Sequence, residues 1–328
     1  MIWLTWRRYR VLVAVVVVLL VALGLWMGEL AHAFDQARNS VPCRYRGGFN
    51  VPFCSGPRGF ISLPAQASIV DLILLALPCA LGAAFGAPLV ASELEHHTNR
   101  LMWTQGISRV RWFLSKWAGV AVIVVALVAL LTLETQWWTS HVFEVSSLNV
   151  SPGNFGRLSP DFFPISGVAA VAYTLFALSL GTAAGALLRR TPLAIAATVV
   201  VYAVVALVMV VSIRPNLAPQ TFVVSSYQGD GRVGHIGPES WYLGNVYVYA
   251  PGSPEVRTAS VSAGAVSNAC ESEQSYFGCL AAHHVQFGGS YLLASEYWEM
   301  QWKESAILFG LSVVLLGGSV LAVRAWRA

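Results

Sequence analysis

Long, uninterrupted apolar runs dominate the hydrophobic pattern of this chain. Six of them have the length of about 20 residues with which a helix crosses a hydrocarbon core of about 30 Å. A helix in lipid satisfies its own backbone hydrogen bonds, so each run is predicted to be a transmembrane helix. The predicted spans cover residues 11–27, 69–91, 112–133, 167–188, 192–213 and 305–323.

The first run leaves one alternative open. Arg7, Arg8 and Arg10 precede it, and Ala31 and Ala33 follow it at the spacing of a cleavage site, as in a signal peptide. The apolar run is longer than the hydrophobic region of an ordinary signal peptide. We therefore favour a span that is retained in the mature protein.

The composition agrees with a membrane protein. Hydrophobic residues make up 56% of the 328 residues and charged residues only 11%. A water-soluble domain of this length needs more charge to cover its surface. We expect a single, all-α polytopic transmembrane domain over residues 1–328, located in the plasma membrane. The net charge of +4 includes no block that would indicate nucleic acid as a partner.

Basic residues lie close to alternate span ends, and this pattern predicts the orientation. With a cytoplasmic amino terminus, all of these groups fall on the cytoplasmic side, and the carboxyl terminus lies there too. The outer side then receives the loops 28–68 and 134–166 and the large segment 214–304. The basic residues concerned are Arg7, Arg8, Arg10, Arg100, Arg109, Arg111, Lys116, Arg189, Arg190, Arg324 and Arg327.

Four of the five cysteines form two close pairs on the predicted outer side. Cys43 and Cys54 lie in the first outer loop, and Cys270 and Cys279 lie in the last. An oxidising compartment lets such pairs form disulfides, which would each stabilise the fold by about 2–3 kcal/mol. Four free thiols are the alternative. Cys79 lies inside an apolar run, and we expect it to be a packed free thiol.

The large outer segment contains a pattern that predicts structure. Aromatic residues recur among glycine and proline in residues 230–256, and residues 245–251 (NVYVYAP) alternate like a short strand. We expect a small folded cap or a lid on the membrane surface, with short helix or strand structure. Residues 145–161 are rich in serine, proline, asparagine and glycine, which predicts a loop.

Motifs for catalysis and for metal or nucleotide binding are missing from the sequence. No Gly-Lys dipeptide occurs, so the chain has no Walker A loop. The pairs His96-His97 and His283-His284 fall on opposite predicted faces, and no HExxH motif occurs, which argues against zinc. The glutamates before His96 lack the second cluster that an intramembrane protease requires. We therefore expect no catalytic residue, cofactor or metal in this chain.

Three carboxylates lie near the predicted outer ends of their spans. They are Asp71, Glu134 and Glu304. Such residues either form a polar vestibule or proton relay, or they reach interfacial water. We favour interfacial water for all three.

Two motifs of small residues concern the packing of the spans. Gly82 and Gly86 are four residues apart in the second span, as are Gly181 and Gly185 in the fourth. This spacing lets helix backbones approach closely in lipid. It predicts tight contacts within the bundle without indicating what the bundle does.

The loop 93–111, between the second and third spans, combines acidic, basic and aromatic residues. Trp103, Ile107, Val110 and Leu114 recur at helical spacing, which favours a short amphipathic helix along the membrane. A solvated loop anchored by tryptophan and arginine is the alternative. Ser108 is predicted to cap the helix that rises into the third span. An amphipathic helix here would suit the docking of a soluble partner.

Four segments resemble the permease subunit of a type-2 ABC transporter, in the form common among high-GC Gram-positive bacteria. They occur in the order typical of that family and are spread over nearly all of the membrane part. The outer segments 31–68 and 214–295 have no recognisable counterpart. The four segments are WLTWRRYR (3–10), GAPLVASELEHHTNRLMWTQGISRVRWFLSKW (86–117), GVAAVAYTLFALSLGTAAGALLRRTPLAIAATV (167–199) and YWEMQWKE (297–304).

The resemblance implies a permease that exports a hydrophobic or amphipathic compound. In this family two six-span subunits form the pathway, and separate ATP-binding subunits dock on the cytoplasmic face. The expected partners are thus two copies of an ATP-binding subunit, a second permease (identical or a paralogue) and membrane lipids. ATP and Mg belong to the ATP-binding subunit.

The resemblance also assigns the loop 93–111 as the cytoplasmic coupling loop. Glu93 and Glu95 would pair with basic groups of the ATP-binding subunit, and Leu101 and Trp103 would insert as apolar anchors. Closure of the ATP-bound partner would then tilt the spans. The residues expected at this contact are Glu93, Glu95, His96, His97, Thr98, Asn99, Arg100, Leu101, Trp103, Thr104 and Gln105.

Two other functions remain open. A six-span subunit of an ABC complex can relay ATPase motion to an outer domain without moving a substrate, and the length of the segment 214–304 suits that role. The other is a membrane enzyme that acts on lipid, which the missing catalytic cluster disfavours.

Overall fold

The computed structural model describes residues 2–40, 59–95, 108–146, 157–224, 240–249, 270, 278–279 and 282–325. Six long helices lie within these ranges, and all six are long and apolar enough to cross a membrane. The predicted all-α polytopic fold is confirmed. The helices are α1 (Ile2–Ser40), α2 (Gly59–Glu95), α3 (Arg109–Ser146), α4 (Gly167–Leu188), α5 (Thr191–Val208) and α6 (Tyr297–Ala325).

The helices extend beyond the apolar runs that predicted them. α1 continues to Ser40 and α2 begins at Gly59, so parts of the loop assigned to 28–68 are helical. α3 likewise continues to Ser146, and α6 already begins at Tyr297. Hydrophobicity marks only the part of a helix that crosses the hydrocarbon, whereas the backbone hydrogen bonds continue until a stop signal.

Local sequence signals set several helix ends. The backbone N–H of Arg111 donates to Ser108 Oγ at 3.4 Å, which confirms Ser108 as the cap of α3. α4 ends at Leu188, and the next residue, Arg189, has a left-handed φ of 55°. Arg190 is extended, and α5 follows with a proline in its first turn. The predicted spans 167–188 and 192–213 leave only three residues between them, and the structure forms a tight turn there.

The end of α5 is irregular. A π-helical turn, Met209–Ile213, follows α5 directly, and a 3-10 turn, Arg214–Asn216, follows that. A second 3-10 turn, Phe163–Ile165, precedes α4. These turns lie at one end of the bundle, next to the first turns of α6.

α4 is the central helix of the bundle. Most of its side chains are buried, and it packs against α2, α5 and α6. A Cβ added at Gly82 would lie 2.2 Å from Ala177 Cβ, and one at Gly185 would lie 2.6 Å from the Ala87 carbonyl oxygen. The glycine motifs of α2 and α4 therefore face each other at backbone distance, which confirms the predicted tight packing.

α1 lies at the side of the bundle. It packs mainly against α3, and Tyr9 stacks on Phe85 of α2 with ring centroids 5.5 Å apart. Its opposite face exposes a row of aliphatic side chains that includes Val11, Val15 and Val18. In a membrane this face lies against lipid, because nothing else described in the chain covers it.

A small antiparallel sheet follows the fifth helix. Its strands are β1 (Thr221–Val224), β2 (Trp241–Tyr249) and β3 (Val285–Leu292), in the order β1-β3-β2. β2 includes residues 245–249 of the predicted strand 245–251, which confirms the prediction for these residues; residues 250 and 251 lie outside the described residues. Trp241 and Leu292 are buried in a cluster with residues of α4, α5 and α6. The sheet is therefore packed directly onto the helices.

The cysteines follow the prediction where the structure describes them. Cys270 and Cys279 are disulfide-bonded, with Cα atoms 5.6 Å apart. Cys79 is a partly buried free thiol that packs against the cluster around α4. Cys43 and Cys54 lie outside the described residues, so their pairing stays a prediction.

Candidate functional site

The structure places those predicted basic groups that it describes at one end of the bundle, which we call the basic end. This end is formed by the start of α1, the end of α2, the start of α3, the α4–α5 turn and the end of α6. Near the start of both helices, Gln301 of α6 bonds Ala169 of α4, and one turn further along Glu304 bonds Tyr173, so the two helices run in the same direction. The described basic residues of this end are Arg7, Arg10, Arg109, Arg111, Lys116, Arg189, Arg190 and Arg324.

Glu93, the first of the predicted coupling residues, is buried with 7% of its surface exposed. Its Oε1 accepts a hydrogen bond from Lys116 Nζ on α3. The same ammonium group lies 4.5 Å from the centroid of the Trp112 ring. A charge-assisted contact of this kind holds the end of α2 against the start of α3. The carboxylate thus braces two helices of its own chain, and its contact with an ATP-binding subunit stays a prediction.

Glu95 ties the end of α2 to α5. Its Oε2 accepts hydrogen bonds from the Thr191 backbone N–H at 3.3 Å and from the Thr191 hydroxyl at 3.0 Å. Thr191 is the first residue of α5, where backbone N–H groups lack partners within the helix. A carboxylate there is also favoured by the helix dipole.

The other predicted coupling residues lie outside the described residues. They follow Glu95 and precede Ser108, so the structure describes the residues that flank their segment on both sides. On one side Glu93 and Glu95 connect α2 to α3 and α5, and on the other side Ser108 caps α3. The chain is therefore connected to three helices within the three residues that precede this segment. The residues concerned are His96, His97, Thr98, Asn99, Arg100, Leu101, Trp103, Thr104 and Gln105.

The opposite end, which we call the sheet end because the sheet packs there, holds a buried ion pair. Arg214 and Glu304 have no exposed side-chain surface. Arg214 Nε donates to Glu304 Oε2 at 2.9 Å, and Nη2 donates to Oε1 at 2.9 Å. The Tyr173 hydroxyl donates to the same Oε1 at 2.6 Å. The guanidinium group also lies 4.5 Å from the centroid of the Phe163 ring.

The expectation that Glu304 reaches interfacial water is wrong. α6 begins at Tyr297, so Glu304 lies about two turns inside the helix. There it faces Tyr173 of α4 and the Arg214 turn after α5. Two opposite charges, one just after an apolar run and one just before the next, are the sequence signal that could have indicated this pair.

Gln301 extends the buried network towards the turn before α4. Its Oε1 accepts from the Ala169 backbone N–H at 2.8 Å, and its Nε2 donates to the Phe163 carbonyl at 3.3 Å. The hydroxyl groups of Ser166 and Tyr297 lie 3.0 Å apart, within hydrogen-bond distance. α6 is thus bonded to the start of α4 over its first two turns. Polar groups that satisfy one another in this way make a packed interface rigid.

The two other carboxylates of the sheet end are less enclosed. Trp138 Nε1 donates to Asp71 Oδ1 at 3.3 Å, which connects α3 to α2. Glu134 Oε2 is a buried atom that has no hydrogen-bond partner among the described residues. Both side chains are partly exposed, so interfacial water stays the prediction for them. Asp161 lies outside the spans, where burial raises the pKa of its carboxyl group and the nearby Arg214 opposes that rise.

The family of the chain follows from its first five helices. Residues 10–214 match the family model described as "ABC-2 membrane transporter related". This match covers more than half of the chain. The chain belongs to this family. It is therefore a multi-pass cell-membrane protein and a membrane permease subunit of an ABC transporter, and the resemblance to type-2 ABC permeases is confirmed.

The family membership also bears on partners. ABC-2 permeases in general associate with an ATP-binding subunit.

A search of curated proteins finds no match to this permease, and a search of solved structures finds none. The matched region ends at Arg214, so the sheet and α6 lie beyond it. The buried ion pair thus joins the last matched residue to the segment that follows.

Proposed function

We propose that this permease exports a hydrophobic or amphipathic compound, driven by a separate ATP-binding subunit that docks at the basic end. The observation that carries the proposal is the double attachment of the end of α2. Glu93 bonds Lys116 of α3, and Glu95 bonds Thr191 of α5. A partner that pulls or pushes the segment after Glu95 therefore acts on three helices at once.

The packing of α2 on α4 supports transmission through the bundle. The facing glycines bring these two helices to backbone distance, so α2 has little room to move without α4. α4 is in turn bonded to α6 through Gln301 and Glu304. A tilt that starts at the basic end would then reach the sheet end as a rigid-body movement between two access states.

The basic end is proposed to face the cytoplasm. Its arginines and lysine lie next to span ends in short connections, where the positive-inside rule has most force. Two ATP-binding subunits would dock there, one on this chain and one on a second permease, identical or paralogous. ATP and Mg would be bound by those subunits. Membrane lipids would cover the exposed aliphatic faces of α1, α5 and α6.

The proposed class of transported compound rests on the surface of the helices. Exposed aliphatic side chains dominate the outward faces of α1 and α5, and the buried charges of the sheet end are already paired. An apolar or amphipathic compound crosses next to such faces at little cost, whereas an ion or sugar needs polar groups along its path. Export is the direction that the family resemblance implies.

A relay that moves no substrate is the second candidate. The sheet packs on the helices through Trp241 and Leu292, and the buried network fixes α6 to α4. Motion of the helices would therefore be passed to the sheet. Transport of a compound into inverted vesicles separates the exporter from the relay, because the relay hydrolyses ATP without accumulation of any compound.

The docking proposal is tested with two matched double variants. The chain is co-expressed with a candidate ATP-binding subunit, and ATPase activity and complex formation are measured. Leu101→Ala with Trp103→Ala removes the two proposed anchors. Trp298→Ala with Trp302→Ala removes two exposed aromatic side chains near the start of α6, at the sheet end. We expect the first variant to lose assembly or stimulated ATPase activity at least tenfold, and the second to keep both.

If the two double variants assemble equally well and show equal ATPase activity, docking through the segment after Glu95 is rejected. If only the sheet-end variant loses assembly or ATPase activity, the contact lies at the sheet end, which contradicts the proposal. Retention of the Cys270–Cys279 disulfide on a non-reducing gel shows that each variant is folded on its outer side.

A further inference from the structure

A groove lies between the irregular end of α5 and the sheet. Its volume is about 440 Å³, within the range of sites that bind small molecules. One wall is formed by Val210 and Val211 of the π-helical turn, and the other by Leu243 and Val246 of β2. The lining is therefore aliphatic on both sides.

The groove also has a polar element. Gln220 and Ser290 both line it, and the Ser290 hydroxyl donates to Gln220 Oε1 at 3.0 Å. The two side chains are neutral and already bonded to each other. An ion would find no counter-charge among the residues that line the groove, whereas an apolar chain with a neutral polar end suits this surface.

The outward face of α5 runs directly into the groove. Val204, Leu207 and Val211 recur at helical spacing and are 56%, 63% and 64% exposed. This row crosses the membrane, so lipid covers it. Val211 belongs both to the row and to the wall of the groove. The groove is thus continuous with the lipid-facing surface, and an acyl chain that lies along α5 reaches it without crossing a polar barrier.

Two backbone irregularities shape the groove. The π-helical turn re-aims the side chains of Val210 and Val211, and such turns occur often at functional sites. On the other wall β2 has a bulge between Tyr242 and Gly244. Gly244 has a φ of 155°, and a Cβ added there would meet no atom within 4 Å. Neither wall therefore fills the space between them.

We propose that this groove holds one acyl chain of a membrane phospholipid. The chain would leave the lipid layer next to α5 and lie between the π-helical turn and β2. Its burial would remove aliphatic surface of both walls from water, which is favourable by about 25 cal/mol per Å². The lipid would then fill the space between the sheet and the fifth helix and fasten the sheet to the membrane.

The test uses a phospholipid with a photoreactive group at the end of an acyl chain. The full-length permease is placed in nanodiscs of phosphatidylethanolamine and phosphatidylglycerol that contain a small fraction of this probe. After irradiation, labelled peptides are mapped by mass spectrometry. We expect labelling of β2 at Leu243 or Val246, in addition to the labelling of α5 that surrounding lipid produces in any case.

Two variants fill the groove from opposite walls. Val246→Trp and Val211→Trp should each lower the labelling of β2 at least fivefold, while the labelling of α5 at Val204 stays unchanged. The control, Val314→Trp, adds the same side chain on an exposed face of α6 and should change neither. A non-reducing gel for the Cys270–Cys279 disulfide and the thermal midpoint exclude variants that fail to fold.

Three results would overturn the proposal. Labelling confined to the helices means that lipid does not enter the groove. If β2 is labelled in both filled variants as strongly as in the unmodified protein, the probe meets only the outer surface of the sheet. Protection of β2 in the unmodified protein together with a cross-linked dimer means that a second copy of the chain covers the groove. None of these readouts needs an ATP-binding subunit, so they are independent of the proposed transport function.

Discussion

The two ends of the bundle differ in the solvent exposure and the pairing of their charged side chains. At the basic end Arg189 and Arg190 occupy an exposed turn, where water solvates both charges. At the sheet end Arg214 and Glu304 are fully removed from water and bonded to each other in a bidentate arrangement. A solvated charge stays available to a partner, whereas a fully paired buried charge serves the fold of its own chain.

The pair of Glu93 and Lys116 is intermediate between these two cases. It lies at the basic end, yet its side chains are only 9% and 13% exposed. Burial, rather than the end of the bundle, should therefore decide how much each ion pair contributes to stability. Three substitutions test this expectation, in order of decreasing effect.

The largest effect is expected at the sheet end. Glu304→Leu leaves the Arg214 guanidinium buried without its counter-charge, which should lower the free energy of unfolding by about 3–5 kcal/mol. The double variant Arg214→Met with Glu304→Leu removes both charges and should recover most of that loss. The measurement is the thermal unfolding midpoint of the purified chain in one detergent. A double variant that is no more stable than the single variant would contradict this account.

A smaller effect is expected at the basic end. Lys116→Met leaves Glu93 without this partner, and loss of a hydrogen bond to a charged group should cost about 1–3 kcal/mol. Arg111→Gln is the matched control, because Arg111 lies on the same helix and is exposed. The same thermal midpoint is measured for both. If the two variants have the same thermal midpoint, the contact of Glu93 with Lys116 does not stabilise the fold.

The smallest effect is expected for an exposed pair that also lies near the sheet end. Glu299 and Lys303 are four residues apart on α6, and their side chains are about half exposed. Glu299→Gln should leave the thermal midpoint unchanged, because solvent and salt screen such a pair. A shift as large as that of Glu304→Leu would mean that position in the bundle matters more than burial, and the comparison of the two ends would have to be drawn differently.

Much of the bundle follows from the sequence because its signals are local. An apolar run of the right length predicts a membrane helix whatever it packs against, and all six were confirmed. Ser108 caps its helix through a contact three residues away, and residues 245–249 form a strand, as the alternation of residues 245–251 predicts. The glycine motifs also predicted close packing, although the sequence did not pair α2 with α4.

The parts that sequence analysis missed depend on distant partners. Arg214 and Glu304 are 90 residues apart, and each alone is most simply interpreted as an interfacial charge. The bond of the Glu93 carboxylate to Lys116, which is 23 residues further along the chain, was also not predicted, while the contact of Glu93 with a partner protein stays a prediction. The groove likewise needs the π-helical turn and β2 to be placed side by side. No single stretch of sequence contains such information.

The sequence by itself thus determined that this is a six-span membrane protein with its basic residues at one set of helix ends. Hydrophobicity and charge act on each segment separately, since each segment must satisfy its own backbone hydrogen bonds in lipid. Tertiary structure alone decided which charges are paired and which remain accessible. The cost of burying a charge depends on whether an opposite charge arrives at the same place, and only the folded chain brings the two together.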